Sequence, residues 1–224
     1  MPEITKHTPG TFSWFDAGFP DVDGAKRFYG EVLGWSFVDS PMGGGEMYTM
    51  CQVKGLDVAA MFPQRPEMRA AGVPPYWQSY ISVANVDELA AKVEGLGGKV
   101  MMPPFDVMEE GRMTLVQDPT GAVVALWQAK NHIGAKLVGD AGSFCWSELM
   151  TTDTDRAAAF YRGLLGWDAK DSGMPGMKYM LFKTQGQENA VAGMMAITPE
   201  MGPMPSSWLT YFAVENADAA LERV

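Results

Sequence analysis

Apolar residues recur along this chain at two spacings, and each switch between them marks an element boundary. Residues 12–19 and 76–83 alternate as strands do. Each is followed by a residue able to cap a helix, Asp21 or Asp23 in one case and Asn85 or Asp87 in the other. Ala25, Phe28, Tyr29 and Val32 then form the stripe of an amphipathic helix, which Gly34 stops. A second helix is expected from about Val86 to Leu96, ending at Gly97-Gly98. Three strand-like runs follow each helix: Trp35–Asp39, Met47–Val53 and Val58–Phe62, then Lys99–Met102, Arg112–Gln117 and Ala122–Gln128. Asp118-Pro-Thr-Gly121 makes the last tight turn. The order is therefore βαβββ, twice.

The pattern then starts again. At an offset of 132, Phe12, Trp14, Asp21, Asp23, Ala25, Phe28, Tyr29, Leu33, Gly34 and Trp35 recur as Phe144, Trp146, Asp153, Asp155, Ala157, Phe160, Tyr161, Leu165, Gly166 and Trp167. At an offset of 131, Pro74, Trp77, Tyr80, Val83, Asn85 and Asp87 recur as Pro205, Trp208, Tyr211, Val214, Asn216 and Asp218. The chain is an internal duplication. The Lys-, Asn- and Gly-bearing stretch Gln128–Gly142 reads as the connector.

Composition narrows the function. With 47% apolar and 20% charged residues the chain is an ordinary globular protein. A net charge of −10 argues against nucleic acid and anionic membrane as partners, since phosphate needs a basic surface. Met1 to Gly10 lack the apolar stretch of a signal peptide, and apolar runs such as Ala122–Trp127 are too short to span a bilayer, so a cytoplasmic protein is expected. Cys51 and Cys145 lie in apolar strand-like segments and read as two buried thiols.

Asp21-Val-Asp23 with Ala25, Phe28-Tyr29, Leu33-Gly34-Trp35, Gly111-Arg112 and Asp118-Pro119-Thr120-Gly121 resemble the vicinal oxygen chelate superfamily, which includes glyoxalase I, extradiol dioxygenases and bleomycin-resistance proteins. The resemblance runs from about Phe12 to the end. It implies an α+β fold in which paired modules make cupped, barrel-like mixed sheets with helices outside and the ligand in the concavity. Residues 1–130 would form a first domain of two modules, 131–142 a linker, and 143–224 a second domain of one full module and the start of another. Because Val224 matches Val93, the second cup is expected to be incomplete, and the natural chain is expected to continue or to be completed by another chain.

The resemblance also implies where metal ligands would stand: seven residues before the helix cap on first strands, and four after the glycine of the Asp-Pro-x-Gly turn. Those positions hold Trp14, Gln78, Ala125, Trp146 and Leu209. Only Gln78 could coordinate, so no metal site and no cofactor are expected; a divalent metal held by Asp16 or Glu148 with Gln78 is the alternative. His7 and His132, in the tail and the connector, read as solvated. Alternation places Asp16 beside Trp14 and Glu148 beside Trp146, making these carboxylates the candidate catalytic groups, with a rim or structural role as the plainer reading. The expected inward residues are Phe12, Trp14, Asp16, Tyr76, Gln78, Tyr80, Val123, Ala125 and Trp127 in the first cup, and Phe144, Trp146, Glu148, Leu209 and Tyr211 in the second. Trp35, Trp77, Trp167 and Trp208 are assigned to packing. Arg112 could meet a ligand carboxylate or a surface acid, and Gly43-Gly44-Gly45 reads as a hairpin connection. The expected function is binding of a small apolar or aromatic metabolite without metal, by a monomer or weak homodimer. The alternatives are a metal-dependent glyoxalase-like lyase or isomerase, or an oxygenase or hydroxylase, and a protein-interaction scaffold with filled cups.

Overall fold

A computed structural model describes residues 3–43, 45–187 and 189–224; Gly44, in the expected hairpin connection, lies outside them. In the first half, β1 (Phe12–Phe19), α1 (Val22–Leu33), β2 (Ser36–Gly43), β3 (Glu46–Val53) and β4 (Leu56–Pro63) form one module. A short helix α2 (Pro66–Ala70), not foreseen from the sequence, leads to β5 (Trp77–Ser82), α3 (Val86–Val93), β6 (Lys99–Val107), β7 (Gly111–Gln117) and β8 (Val123–Ala129). The second half comprises β9 (Phe144–Thr151), α4 (Thr154–Leu165), β10 (Trp167–Asp171), β11 (Tyr179–Thr184), β12 (Ala190–Ala196), β13 (Ser207–Phe212) and α5 (Ala217–Leu221). No described helix is long and apolar enough to cross a membrane.

The helices begin and end as their side chains dictate. Asp21 and Asp153 accept from the backbone N–H of Gly24 at 2.8 Å and Arg156 at 3.0 Å. Gly34 and Gly166 close α1 and α4 at φ 70°, a left-handed conformation that any Cβ would resist. Asn85 and Asn216 cap α3 and α5 in the same way as the aspartates.

Two sheets result, ordered β2-β3-β4-β1-β5-β8-β7-β6 and β10-β11-β12-β9-β13. Within each full module the first strand pairs in parallel with the last, β1 with β4, β5 with β8 and β9 with β12. Modules meet through antiparallel first strands, β1 with β5 and β9 with β13. The sheets curve but stay open, so "barrel-like" overstates their closure.

One apolar core joins the halves on the faces opposite the cups. Phe15 stacks on Phe144 at 4.2 Å, and Phe12 packs on Trp167 and Trp208. Phe12 and Phe144 were expected inside the cups. Register shifts between Phe12 and Trp14, and between Tyr211 and Phe212, break the alternation and turn both rings into the inter-half core. The two helix-end tryptophans, expected to pack, also lock the halves reciprocally. Trp35 Nε1 donates to Gly142 O at 2.6 Å, and Trp167 Nε1 donates to Gly10 O at 2.9 Å, with Gly10 and Gly142 being repeat partners.

Three other expectations are corrected. Phe28 is 43% exposed, whereas its repeat partner Phe160 is 1% exposed, because the Gly97-Gly98 turn lies against Phe160. Cys51 is buried, but Cys145 is exposed. The connector is built into the sheet: Ala135 N–H donates to Ser13 O at 2.7 Å and Lys136 N–H to Asp57 O at 2.7 Å. It fills the end of the β1–β4 seam, where direct pairing begins only at Asp16.

Candidate functional site

The first cup encloses a cavity of about 650 Å³, the size of a small-molecule site. Its wall combines Trp14, Tyr48, Tyr76, Tyr80 and Trp127 with methionines such as Met50 and Met113. The aromatics therefore do not fill the cup.

A hydrogen-bonded group sits at its centre. Trp14 Nε1 donates to the Tyr48 hydroxyl at 2.8 Å. The Tyr48 hydroxyl donates to Asp16 Oδ2 at 3.0 Å, and the Tyr80 hydroxyl donates to the same oxygen at 2.9 Å. β1 supplies Trp14 and Asp16, β5 supplies Tyr80 as Trp14's register partner, and β3 supplies Tyr48 from two strands away. Asp16 is 6% exposed. Burial pushes its carboxyl up to about 7, against the smaller opposing pull of the two phenols. Burial, reinforced by the Asp16 charge, holds Tyr48 and Tyr80 well above the ordinary tyrosine value, so both remain donors.

The connector closes one end of this group. The His132 ring meets Trp14 edge-on at 4.4 Å, and Trp127 Nε1 donates to His132 O at 2.9 Å. His132 lines the cavity rather than facing solvent, which corrects its reading as a surface residue. Burial lowers it to about 4, so it is neutral at physiological pH, and its Nε2 is buried without a hydrogen-bond partner. His7 is half-buried, with its Nε2 2.8 Å from Ala135 O.

Trp14, Asp16, Tyr76, Gln78, Tyr80 and Trp127 thus line one cavity. Ala125 lies behind the wall as Tyr80's register partner. Arg112 is elsewhere. Its Nε and Nη2 each donate to Asp87 at 2.7 Å, with Asp106 3.5 Å from Nη1, so it answers a surface acid. Tyr48 was missed, although the offset of 131 that relates Tyr80 to Tyr211 also relates Tyr48 to Tyr179.

The second sheet repeats the group. Trp146 Nε1 donates to the Tyr179 hydroxyl at 2.9 Å, and the Tyr211 hydroxyl donates to Glu148 Oε1 at 3.1 Å. Tyr179 is raised to about 12, chiefly by burial and then by its hydrogen bond to Glu148. This group lies open: Tyr211 is 42% exposed where Tyr80 is 8% exposed.

An open α+β cup of paired βαβββ modules, with an aromatic cavity on its inner face, defines the vicinal oxygen chelate fold class. The family model described as Glyoxalase/Bleomycin resistance protein/Dioxygenase superfamily matches residues 11–126 and 141–224, and the chain belongs to that superfamily. CFP32 of Mycobacterium tuberculosis (strain CDC 1551 / Oshkosh), which carries the name glyoxylase, is 42% identical over 221 residues, covering 98% of this chain and 83% of that protein. The anthracycline biosynthesis protein DnrV of Streptomyces peucetius is 33% identical over 232 residues, covering 98% of this chain and 82% of its own. Among solved structures, the Mn(II)-bound glyoxalase from Novosphingobium aromaticivorans superposes with a TM-score of 0.63 at 15% identity, over 96% of this chain and 68% of that one. The 2,2',3-trihydroxybiphenyl 1,2-dioxygenase from Sphingomonas wittichii strain RW1 also gives 0.63, at 12% identity, over 96% and 79%. These two likenesses establish the fold.

The residues at the first cup do not fit a divalent metal such as the Mn(II) of the Novosphingobium aromaticivorans glyoxalase. Indole and methyl groups occupy two of the three implied positions, Trp14 and Ala125. At the third, Gln78 is 8% exposed and its Nε2 donates to Ser79 O at 3.0 Å. Asp16 supplies one carboxylate, with Oδ2 already accepting from two phenols. Among the described residues no group of three or more His, Cys, Asp or Glu side chains is arranged to hold an ion.

Proposed function

We propose that this protein binds a largely apolar, aromatic small molecule in the first cup without a metal, bonding one polar group of that molecule to the Asp16 carboxyl. The observation that carries this reading is a cavity of about 650 Å³ with an aromatic wall that also holds a buried carboxyl, Asp16, bonded by two phenols. The aromatic wall gives affinity by burying ring faces, and the acid gives direction, either as a donor to a carbonyl or as an acceptor from a hydroxyl. Two relatives carry names that place them in anthracycline biosynthesis, and anthracyclines are fused-ring aromatics bearing both groups. That likeness supports the same ligand chemistry here.

The test is a thermal-shift and tryptophan-quenching titration with 1-hydroxyanthraquinone on protein stripped with a chelator. Trp14 and Trp127 line the cavity, so ligand entry should quench their emission. At a hundredfold excess over Kd the native state should gain about 2.7 kcal/mol. Asp16→Asn should weaken binding by about 1–3 kcal/mol. Binding that appears only after a divalent ion is restored would contradict the reading, as would no stabilisation at high ligand excess.

A further inference from the structure

We propose that the guest of the first cup carries a carboxylate, which Arg65 and Tyr76 receive together at one end of the cavity. This rests on the binding reading above and names the class of molecule that reading leaves open, the fused-ring aromatic carboxylic acids.

The strands set the placement. β1 ends at Phe19, whose carbonyl accepts from the Gln64 N–H at 2.9 Å, and Arg65 is the next residue. Gln64 is buried, and its Nε2 donates to Val73 O at 2.7 Å, so the backbone that carries Arg65 is tied down on both sides. Across β1, Tyr76 directly precedes β5, whose Trp77 is the register partner of Ala17. Arg65 and Tyr76 therefore flank the same end of β1, and both line the cavity. Gly18 lines it there too. A Cβ at Gly18 would meet the Phe62 ring at 3.0 Å and Gln64 Cα at 3.3 Å, so the missing side chain leaves room at this end.

Charge supplies the chemistry. Asp16, Glu46, Arg65 and Glu110 line the cavity, and Arg65 is the one cation among them. Glu110 belongs to the opposite end. Ser82 pairs with Trp127 and Gly111 with Ala129, past the far end of β5, and Glu110 O accepts from the His132 N–H at 3.0 Å. From Tyr76 to Ser82 is roughly 20 Å of strand, more than twice the screening length at physiological salt. Glu110 thus turns an anion away from its own end without opposing one beside Arg65. Glu46, exposed at the start of β3, shares the Arg65 end but forms no ion pair with it. Among the described residues neither the Arg65 guanidinium nor the Tyr76 hydroxyl has a hydrogen-bond or ion-pair partner. Burial raises the Tyr76 phenol above its ordinary value, the Asp16 charge adds to that and the Arg65 charge opposes it, so the phenol stays a donor within reach of the cation. A guanidinium fork and a phenol suit the two oxygens of a carboxylate. Tyr76 stands two residues along β5 from Gln78, the register partner of Asp16, roughly 7 Å away. Two fused rings cover that span, so one guest reaches both ends of it.

The experiment compares two probes with the same rings, anthraquinone-2-carboxylate and anthraquinone-2-carboxamide, by tryptophan quenching at neutral pH. The wild-type chain should hold the carboxylate at least about 10-fold more tightly than the amide, the effect of one charge-assisted hydrogen bond. That ratio should shrink in about 1 M salt, where screening acts over about 3 Å. Arg65→Gln should bring it close to one by weakening the carboxylate, while Arg65→Lys, which keeps the charge without the fork, should retain about 3-fold. Tyr76→Phe should lower it by about 3-fold to 10-fold. Glu46→Gln, which removes the acid on the same end, should raise it by about 2-fold. A wild-type ratio near one would overturn the inference, as would a preference that survives in Arg65→Gln. In both cases the binding reading still stands if the amide and 1-hydroxyanthraquinone quench. If none of the three probes binds, both readings fall.

Discussion

Each cup carries a tryptophan, a carboxylate and two tyrosines in the same order, with Glu148 standing where the first cup has Asp16, and the two groups differ in what surrounds them. Trp14, Asp16, Tyr48 and Tyr80 lie within a sheet whose β5 is flanked by β8, with the connector packed over Trp14. Trp146 and Glu148 lie on β9, Tyr179 on β11 and Tyr211 on β13. In the first cup Tyr80 and Asp16 are nearly dry and Tyr48 is partly buried, whereas in the second Tyr211 meets solvent. The hydrogen-bond pattern is therefore inherited by both halves. In the first cup burial raises the Asp16 carboxyl to about 7.

The largest test of this contrast is the dependence of stability on pH. Between about pH 4 and 7 the folded chain keeps a proton on Asp16 that the unfolded chain has lost, so this group's stabilisation falls as pH rises, by roughly 4 kcal/mol in all. His132 works in the opposite sense. Between about pH 4 and its usual 6.5 the unfolded chain holds a proton that the folded chain refuses, so stability grows by about 3 kcal/mol as pH rises through that window. The two slopes largely cancel in the wild type. Urea midpoints should show a shallow profile from pH 4 to 6.5, a steep loss on acidification in Asp16→Asn, and a steep decline toward pH 7 in His132→Gln. A variant profile that stays as shallow as the wild type would break the contrast.

A smaller effect separates the floors of the two cups. Gly193 is the register partner of Glu148, and a Cβ there would run into the Tyr179 hydroxyl and Trp146 Nε1. Gly193→Ala should cost about 1–3 kcal/mol by forcing that hydrogen-bonded pair apart. Ala60 holds the equivalent place opposite Asp16, and Ala60→Gly should cost about 1–2 kcal/mol, from backbone entropy and the loss of one buried methyl. Denaturant unfolding of both variants measures the difference.

The smallest difference should lie where the halves are most alike. Trp35→Phe and Trp167→Phe each remove one reciprocal hydrogen bond to Gly142 or Gly10 while keeping an aromatic ring. Each should cost about 1–2 kcal/mol, and the two values should agree closely. A large disparity would mean that the halves do not clamp each other symmetrically.

Much of the architecture was legible in the sequence, for physical reasons. Caps at Asp21 and Asn85, the left-handed stop at Gly34 and period-two strands are local chemistry, and the repeat doubled every such signal. Period two also placed Trp14, Asp16, Gln78, Tyr80 and Trp127 on one face. It failed at Phe12 and Phe144, because a register shift is a property of strand pairing and not of either strand alone. His132 was unreadable for a similar reason: polar neighbours suggested a solvated connector, while its burial depends on Ala135 bonding Ser13, more than a hundred residues away in sequence. Tyr48 was legible in principle through its repeat partner Tyr179. Its role was not, because β3 reaches Asp16 only across β4.

Difference infrared spectroscopy tests the account at its centre. The protonated carboxyl band, assigned by its loss in Asp16→Asn, should titrate with a midpoint near 7 and shift in frequency when 1-hydroxyanthraquinone enters the cup. A spectrum with no such band above pH 5, or a band indifferent to the ligand, would contradict a neutral acid facing an organic guest.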